Sequence, residues 1–231
     1  MPSNVSSDTK AKKATPFAVV EAYKTIRTNI MFSLSKKGCK VIAISSSGEA
    51  EGKSTTSLNT AIAFSQTGNK VLLVDADMRK PSIYKKVQLS NNAGLSSILA
   101  NFCTFDEVLN HINPNLDIIT SGPTPPNPSE ILGSDAFADF INEAREKYDY
   151  VFIDTPPINI VSDAIILGSR TDGVVMVVKD GYTQHDYFQR AISSIEFAHL
   201  KLLGVVFNAS SGKYNKKYKY SRYYAYKRKE N

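Results

Sequence analysis

The spacing of apolar and polar residues changes period several times along the chain, and the changes divide it into elements. Between residues 17 and 35, Phe17, Val20, Tyr23, Ile26, Ile30 and Leu34 recur at helical spacing with charged residues between them, which predicts an amphipathic helix outside the core repeat. From residue 40 onward, short β-branched runs alternate with helical patterns. The runs KVIAIS (40–45), KVLLVD (70–75), LDIIT (116–120), YDYVFID (148–154), GVVMVV (173–178) and KLLGVVFN (201–208) predict strands. Residues 53–67, 129–147, a segment opening at Ser162, and 184–199 predict helices. Strands apolar on both faces, each followed by a helix, imply an α/β fold: a mostly parallel sheet covered by helices on both faces. Ligands of such sheets lie beyond the carboxyl ends of the strands. The stretch TSGPTPPNPSEI (120–131) predicts a surface loop just past one of those ends. No internal repeat and no interdomain linker interrupts the pattern.

Composition narrows the class. With 231 residues, 42% hydrophobic and 22% charged, the chain has the make-up of one soluble globular domain, or at most two small ones. No stretch approaches the roughly 18 apolar residues of a membrane-spanning helix, and the N-terminus lacks the apolar core of a signal peptide, so the sequence places the chain in the cytosol. Cys39 and Cys103 form neither a disulfide framework nor a zinc quartet and read as reduced, partly buried thiols.

The net charge of +6 changes meaning once it is divided along the chain. Residues 213–231 hold eight Lys/Arg and one acid, which leaves 20 basic and 21 acidic residues in the first 212. The body is close to neutral. The tail also carries Tyr214, Tyr218, Tyr220, Tyr223, Tyr224 and Tyr226 and no Leu, Ile, Val or Phe, a composition that predicts disorder. The organisation read from the sequence is a flexible leader (1–16), a body (17–212) whose first helix spans 17–35, and a basic, tyrosine-rich tail (213–231).

The motifs that carry chemistry sit at the expected edge. The first strand ends in SSSGEAEGKSTT, where Gly52, Lys53 and Ser54 match the second half of the phosphate-loop pattern GxxxxGK[ST] and Ser47 stands at its first glycine. The segment Gly48, Glu49, Ala50, Glu51, Gly52, Lys53, Ser54 and Thr55 is the candidate nucleotide-binding loop. Its N–H groups and the helix N-terminus would cradle phosphates, Lys53 would neutralise the β- and γ-oxygens, and the Ser54 hydroxyl would hold Mg²⁺. Glu49 and Glu51 would repel a triphosphate, which predicts that both side chains face solvent. The second strand closes on VDADMRKP, with Asp75 and Asp77 on a tight turn, and the fifth element closes on Asp154. Carboxylates this close need a cation or a proton between them, and Mg²⁺ held by Ser54, Asp77 and Asp154 supplies one. His111, His185 and His199 fall on helical stretches without a partner at metal or catalytic spacing, and Asp163 reads as a helix cap.

KVLLVDADMRKP, together with EAEGKST, GPTPPNPSEIL, VFIDTPP and the terminal tyrosine cluster, resembles the bacterial tyrosine kinases that regulate capsule and exopolysaccharide synthesis. The resemblance runs from about Phe17 to the C-terminus. It implies the phosphate-loop ATPase fold of the MinD/ParA-like type, with Mg·ATP as phosphoryl donor and catalytic Lys53, Asp75 and Asp77. Of the two acids, Asp75 would lie near the reacting centre and Asp77 would help hold the metal. The resemblance makes the tail tyrosines autophosphorylation sites modified between subunits, and gives Asn208 a contact with adenine. EAYKTIR looks like the family's oligomerisation motif ExxRxxR, with Glu21 and Arg27 in place and Lys24 at the first arginine. Its implied partners are further copies in a ring, an octamer by family resemblance, a separate transmembrane activator of the chain-length-determinant type, and a tyrosine phosphatase. The kinase would then sit in the cytoplasm at the inner face of the plasma membrane.

Two departures from the pattern carry expectations of their own. Lys24 lacks the planar fork of arginine, which predicts a ring sensitive to salt. Glu49-Ala50 replaces the family's frequent Pro-Gly, and an alanine predicts a conventional dihedral at that point. The rival readings are a partitioning-type ATPase switch and a nucleotide-gated module whose tail binds nucleic acid or a membrane surface. The first is opposed by Gly48, which stands where those ATPases carry a signature lysine, and by the tyrosine cluster. The near-neutral body opposes the second, and no nucleic-acid partner is expected.

Overall fold

The computed structural model describes residues 16–34 and 37–209. In chain order the elements are α1 (Pro16–Ser33), β1 (Lys40–Ser46), α2 (Lys53–Ser65), β2 (Val71–Asp75), α3 (Ile83–Val87), α4 (Leu95–Leu99), β3 (Asn110–Asn113), β4 (Leu116–Ile119), α5 (Pro128–Leu132), α6 (Asp135–Lys147), β5 (Tyr150–Asp154), α7 (Asp163–Gly168), β6 (Gly173–Lys179), α8 (His185–Phe197) and β7 (Leu202–Asn208). The strands form one sheet in the order β3-β4-β2-β5-β1-β6-β7. β3 alone runs antiparallel, against β4, and the other neighbours pair in parallel.

The central strands are buried on both faces because successive side chains feed two different layers. Val41, Leu72, Val74, Val151 and Ile153 pack under α4 and α6. Their sequence neighbours Ile42, Ile44, Leu73 and Phe152 pack under α1 and α2, where the Phe64 ring lies 4.5 Å from Tyr150 and 5.0 Å from Phe152. A third cluster seats Ala191 and Ile195 of α8 on Val174 and Met176 of β6. Each fully buried side chain of this size contributes about 1.5–3 kcal/mol, so the register of the centre is strongly fixed.

Several boundaries depart from the sequence reading. The helix expected over 129–147 breaks at Gly133 and Ser134 into α5 and α6. The helix expected over 53–67 stops at Ser65. His111 lies on β3, not on a helix, and His199 follows α8 in a left-handed conformation (φ 54). The loop after β4 begins buried, at Thr120 and Ser121. Cys39 and Cys103 are half-buried free thiols, and burial pushes Cys39 up to about 11, which leaves it unreactive near neutral pH. Among the described residues no helix is long and apolar enough to cross a membrane.

Candidate functional site

Three carboxylates meet at the carboxyl edge because the parallel register delivers them there. β2 ends on Asp75 and β5 on Asp154, paired directly with each other, and the turn after β2 returns Asp77. All three are buried. Lys53, the first residue of α2, places its Nζ 2.9 Å from Asp77 Oδ2, 3.3 Å from Asp154 Oδ2 and 3.2 Å from the Ser54 hydroxyl. Burial opposes the Lys53 charge, but the Asp154 and Asp77 carboxylates outweigh it and hold the ammonium above its ordinary pKa. Complete burial raises Asp154, against the pull of Lys53 and of Ser57, whose hydroxyl donates to Asp154 Oδ1 at 2.9 Å.

The two acids of the turn are not equivalent. Asp77 lines a cavity of about 480 Å³ between the loop and the turn. Asp75 sits behind it, with Oδ1 accepting the Asp77 N–H at 3.2 Å and Oδ2 accepting the N–H groups of Ser82 and Ile83 at 3.1 and 3.0 Å. Burial and the Asp154 charge push Asp75 up to about 7 in spite of those donors. Arg79 and Lys86 also line the cavity. Arg79 donates Nε to the buried Asp163 at 2.9 Å, and Lys86 Nζ donates to Thr55 Oγ1 at 2.9 Å. Arg79 lies in the VDADMRKP motif, two residues after Asp77, but the sequence reading gave it no role. Lys86, on the short α3, carried no signal in the sequence.

The loop itself corrects two expectations. Ala50 adopts φ 56, not a conventional dihedral, because the chain must turn from β1 into α2 within a few residues. Glu49 is exposed as expected and pairs with Lys80 at 2.6 Å. Glu51 instead turns inward, where Ser47 and Thr183 supply donors that a solvent-facing side chain would forgo. Gly52 is required on two counts: its φ is +94, and a Cβ there would lie 2.0 Å from Asn208 Nδ2. Asn208 donates that nitrogen to the Glu51 carbonyl at 2.9 Å and accepts the Ala209 N–H, so it braces the loop from behind and does not line the cavity. Asp163 is also corrected. Ser162 occupies the cap position of α7, and Asp163 is a fully buried anchor for Arg79 and Ser129.

The oligomerisation candidates share α1 but not a role. Lys24 pairs with Glu21 at 2.8 Å on the exposed face. Arg27 reaches inside the chain and donates to the Ala63 carbonyl of α2 at 2.7 Å. The six tail tyrosines lie outside the described residues.

Hard oxygen donors suit magnesium. Among the described residues no group of three or more His, Cys, Asp or Glu side chains could hold a metal alone. The Ser54 hydroxyl with the Asp77 and Asp154 carboxylates, all within 3.3 Å of one cationic nitrogen, nonetheless fits an ion that keeps part of its water shell.

The comparisons with known proteins bear on the family and the fold. The model of the AAA domain family matches residues 39–201. A tyrosine-protein kinase of Bacillus subtilis, YwqD, is 42% identical over 212 residues, which cover 91% of this chain and 87% of that protein. The crystal structure of the chimerical protein CapA2B2 superposes with a TM-score of 0.80 at 41% identity, covering 85% of this chain and 86% of that one. A plasmid partition protein from Borrelia burgdorferi, 24% identical with a TM-score of 0.58, covers 73% of this chain and 78% of its own, and shares the fold.

Proposed function

Given that the chain belongs to the bacterial tyrosine-protein kinases, which carry the phosphate-loop ATPase fold, we propose that it moves the γ-phosphoryl of Mg·ATP to tyrosines of its own tail, between subunits. The observation that carries this reading is Lys53 Nζ, held between Asp77 and Asp154 at the floor of a cavity walled by the loop. Phosphoryl transfer through a loose transition state is mainly a matter of positioning and charge. Lys53, with Arg79 and Lys86 on the facing wall, supplies positive charge to a triphosphate lying along residues 48–55. Ser54, Asp77 and Asp154 would hold Mg²⁺, which when bound offsets charge on the phosphate oxygens.

A tyrosine hydroxyl, with pKa near 10, must lose its proton. Asp75, expected near the reacting centre, lies behind the cavity and holds the turn by accepting three backbone N–H groups, so the proton would pass to the oxygen of Asp77 that is not on the metal. Asn208 supports the nucleotide through the loop it braces. Tyr214, Tyr218, Tyr220, Tyr223, Tyr224 and Tyr226 are the acceptors, and each phosphate adds about −1.5 to −2 charge, so four or more cancel the tail's excess of seven positive charges. That reversal would release a ring whose contacts include Glu21 and Lys24. The same reading gives the chain a membrane activator, an opposing tyrosine phosphatase and a role at the inner face of the membrane in controlling capsule or exopolysaccharide synthesis and export.

The test mixes two chains: Lys53→Met with its tail, checked for folding by circular dichroism, and an active chain truncated after Gly212. Intermolecular transfer labels the Lys53→Met chain. A full-length enzyme that labels itself while the Lys53→Met chain stays unlabelled would show transfer within one subunit instead.

A further inference from the structure

The candidate phosphate loop holds a conformation that its own residues resist. Ala50 lies at φ 56, a left-handed region disfavoured for any residue with a Cβ. Such a conformation persists only where its surroundings over-determine it, and the surroundings converge on the next residue. Glu51 is 2% exposed. Its Oε2 accepts the Ser47 N–H at 3.0 Å, and its Oε1 accepts the hydroxyls of Ser47 and Thr183, both at 2.8 Å. Thr183 lies in the turn between β6 and α8 and itself accepts the Lys179 N–H at 2.9 Å. From β7, Asn208 donates to the Glu51 carbonyl. One loop residue is thereby tied to the ends of β1, β6 and β7.

We propose that Glu51 is a positioning residue whose buried carboxylate clasps the phosphate loop between Ser47 and Thr183, holding Ala50 left-handed and the loop in its nucleotide-binding shape. The inference rests on the reading of this loop as the nucleotide site. A carboxylate suits the position because it only accepts and can serve several donors at once. Glutamine would turn one of those acceptors into a donor facing an N–H or a hydroxyl already committed to another bond. Without the clasp Ala50 relaxes, the fraction of chains with a competent loop falls, and apparent nucleotide affinity falls by the same factor.

The test is titration of fluorescent ADP with Mg²⁺ against the full-length chain, with melting temperatures recorded without nucleotide. Glu51→Gln should weaken binding about ten-fold, the scale of one lost buried acceptor. Thr183→Val, which removes one anchor of the clasp, should weaken it about three-fold. Ala50→Gly alone should weaken binding about two-fold, because glycine gives the free loop more conformations to lose while the clasped wild-type loop gains nothing from it. Added to Glu51→Gln it should restore at least about three-fold, because glycine enters the left-handed region freely.

A wild-type chain that binds no nucleotide would overturn the site assignment itself. A wild type that binds normally beside a Glu51→Gln variant of equal affinity would overturn the clasp alone. So would an Ala50→Gly effect of the same size in both backgrounds, since a purely structural glutamate lowers the melting temperature without that dependence. Should Glu51→Gln fail to fold, Thr183→Val with and without Ala50→Gly decides: weakening with rescue supports the clasp, and wild-type binding refutes it.

Discussion

Lys53 and Lys24 each pair with carboxylates about 2.8–2.9 Å away, yet the two contacts mean different things. Lys24 and Glu21 stand half in solvent on α1, where water would serve either charge almost as well, and such pairs contribute little. Lys53, Asp77 and Asp154 are nearly withdrawn from water, so each charge depends on the others. The same residue types therefore give a dispensable contact at the surface and an obligatory one at the strand ends. Function needs the second kind, because only a desolvated, interdependent set of charges responds strongly when a polyphosphate enters.

The sharpest way to break the contrast is to remove each lysine. Lys53→Met should eliminate phosphotyrosine formation and also destabilise the chain by about 3–5 kcal/mol near neutral pH, the penalty for leaving buried carboxylates without their cation. The sequence alone gave no reason to expect the stability loss, since a phosphate-loop lysine lies outside the apolar core. Urea unfolding of the variant measures it, and a wild-type midpoint would show that the pair is not interdependent.

Asp75 sharpens the comparison through pH. Its folded pKa of about 7 exceeds the ordinary 3.8. The unfolded chain therefore releases this proton first, and the contribution of Asp75 to stability falls as pH rises from about 4 to about 7, by an amount on the order of 2–4 kcal/mol. Asp75→Asn should flatten that part of the profile. Unfolding midpoints at pH 5 and 7.5 that fall equally in wild type and variant would contradict the assignment.

On α1 the effects shrink. Arg27→Ala should cost about 1.5 kcal/mol through the lost bond to the Ala63 carbonyl, read as a lower thermal midpoint of a still-folded chain. Glu21→Ala should cost no more than about 0.5 kcal/mol. Glu21, rather than Arg27, is therefore the clean probe of ring formation. Charge reversal there should dissolve an oligomer seen by light scattering while the chain stays folded, and a monomer at every concentration before mutation would count against the ring.

The strand-end acids were legible as a set: a single apolar run that stops on a carboxylate, such as VFID, fits an ordinary turn equally well, and only Asp75, Asp77 and Asp154 together beside the GKS loop pointed to a site. The glycine and lysine of the loop were legible for the same reason. Glu51 was not, because of its side-chain partners only Ser47 is local and the other, Thr183, lies 132 residues away. Ala50 was misread because intrinsic preference was allowed to decide a dihedral that the ends of three strands impose. The antiparallel β3, with the polar sequence NHIN, lacks the alternation that reveals a strand. The break at Gly133 and Ser134 shifts the buried face by about half a turn, from Pro128 and Leu132 to Phe137, Phe140, Ile141 and Ala144, and the glycine with a serine at the cap position of α6 was the signal available for it.

The central claim, that this site phosphorylates the tyrosine-rich tail, is tested most directly by mass-spectrometric mapping of phosphotyrosine on the full-length chain after incubation with Mg·ATP and a cognate activator. The account predicts phosphate on several of Tyr214, Tyr218, Tyr220, Tyr223, Tyr224 and Tyr226, and none on the Lys53→Met chain incubated alone. ATP consumed at the site with every tail tyrosine unmodified would contradict it.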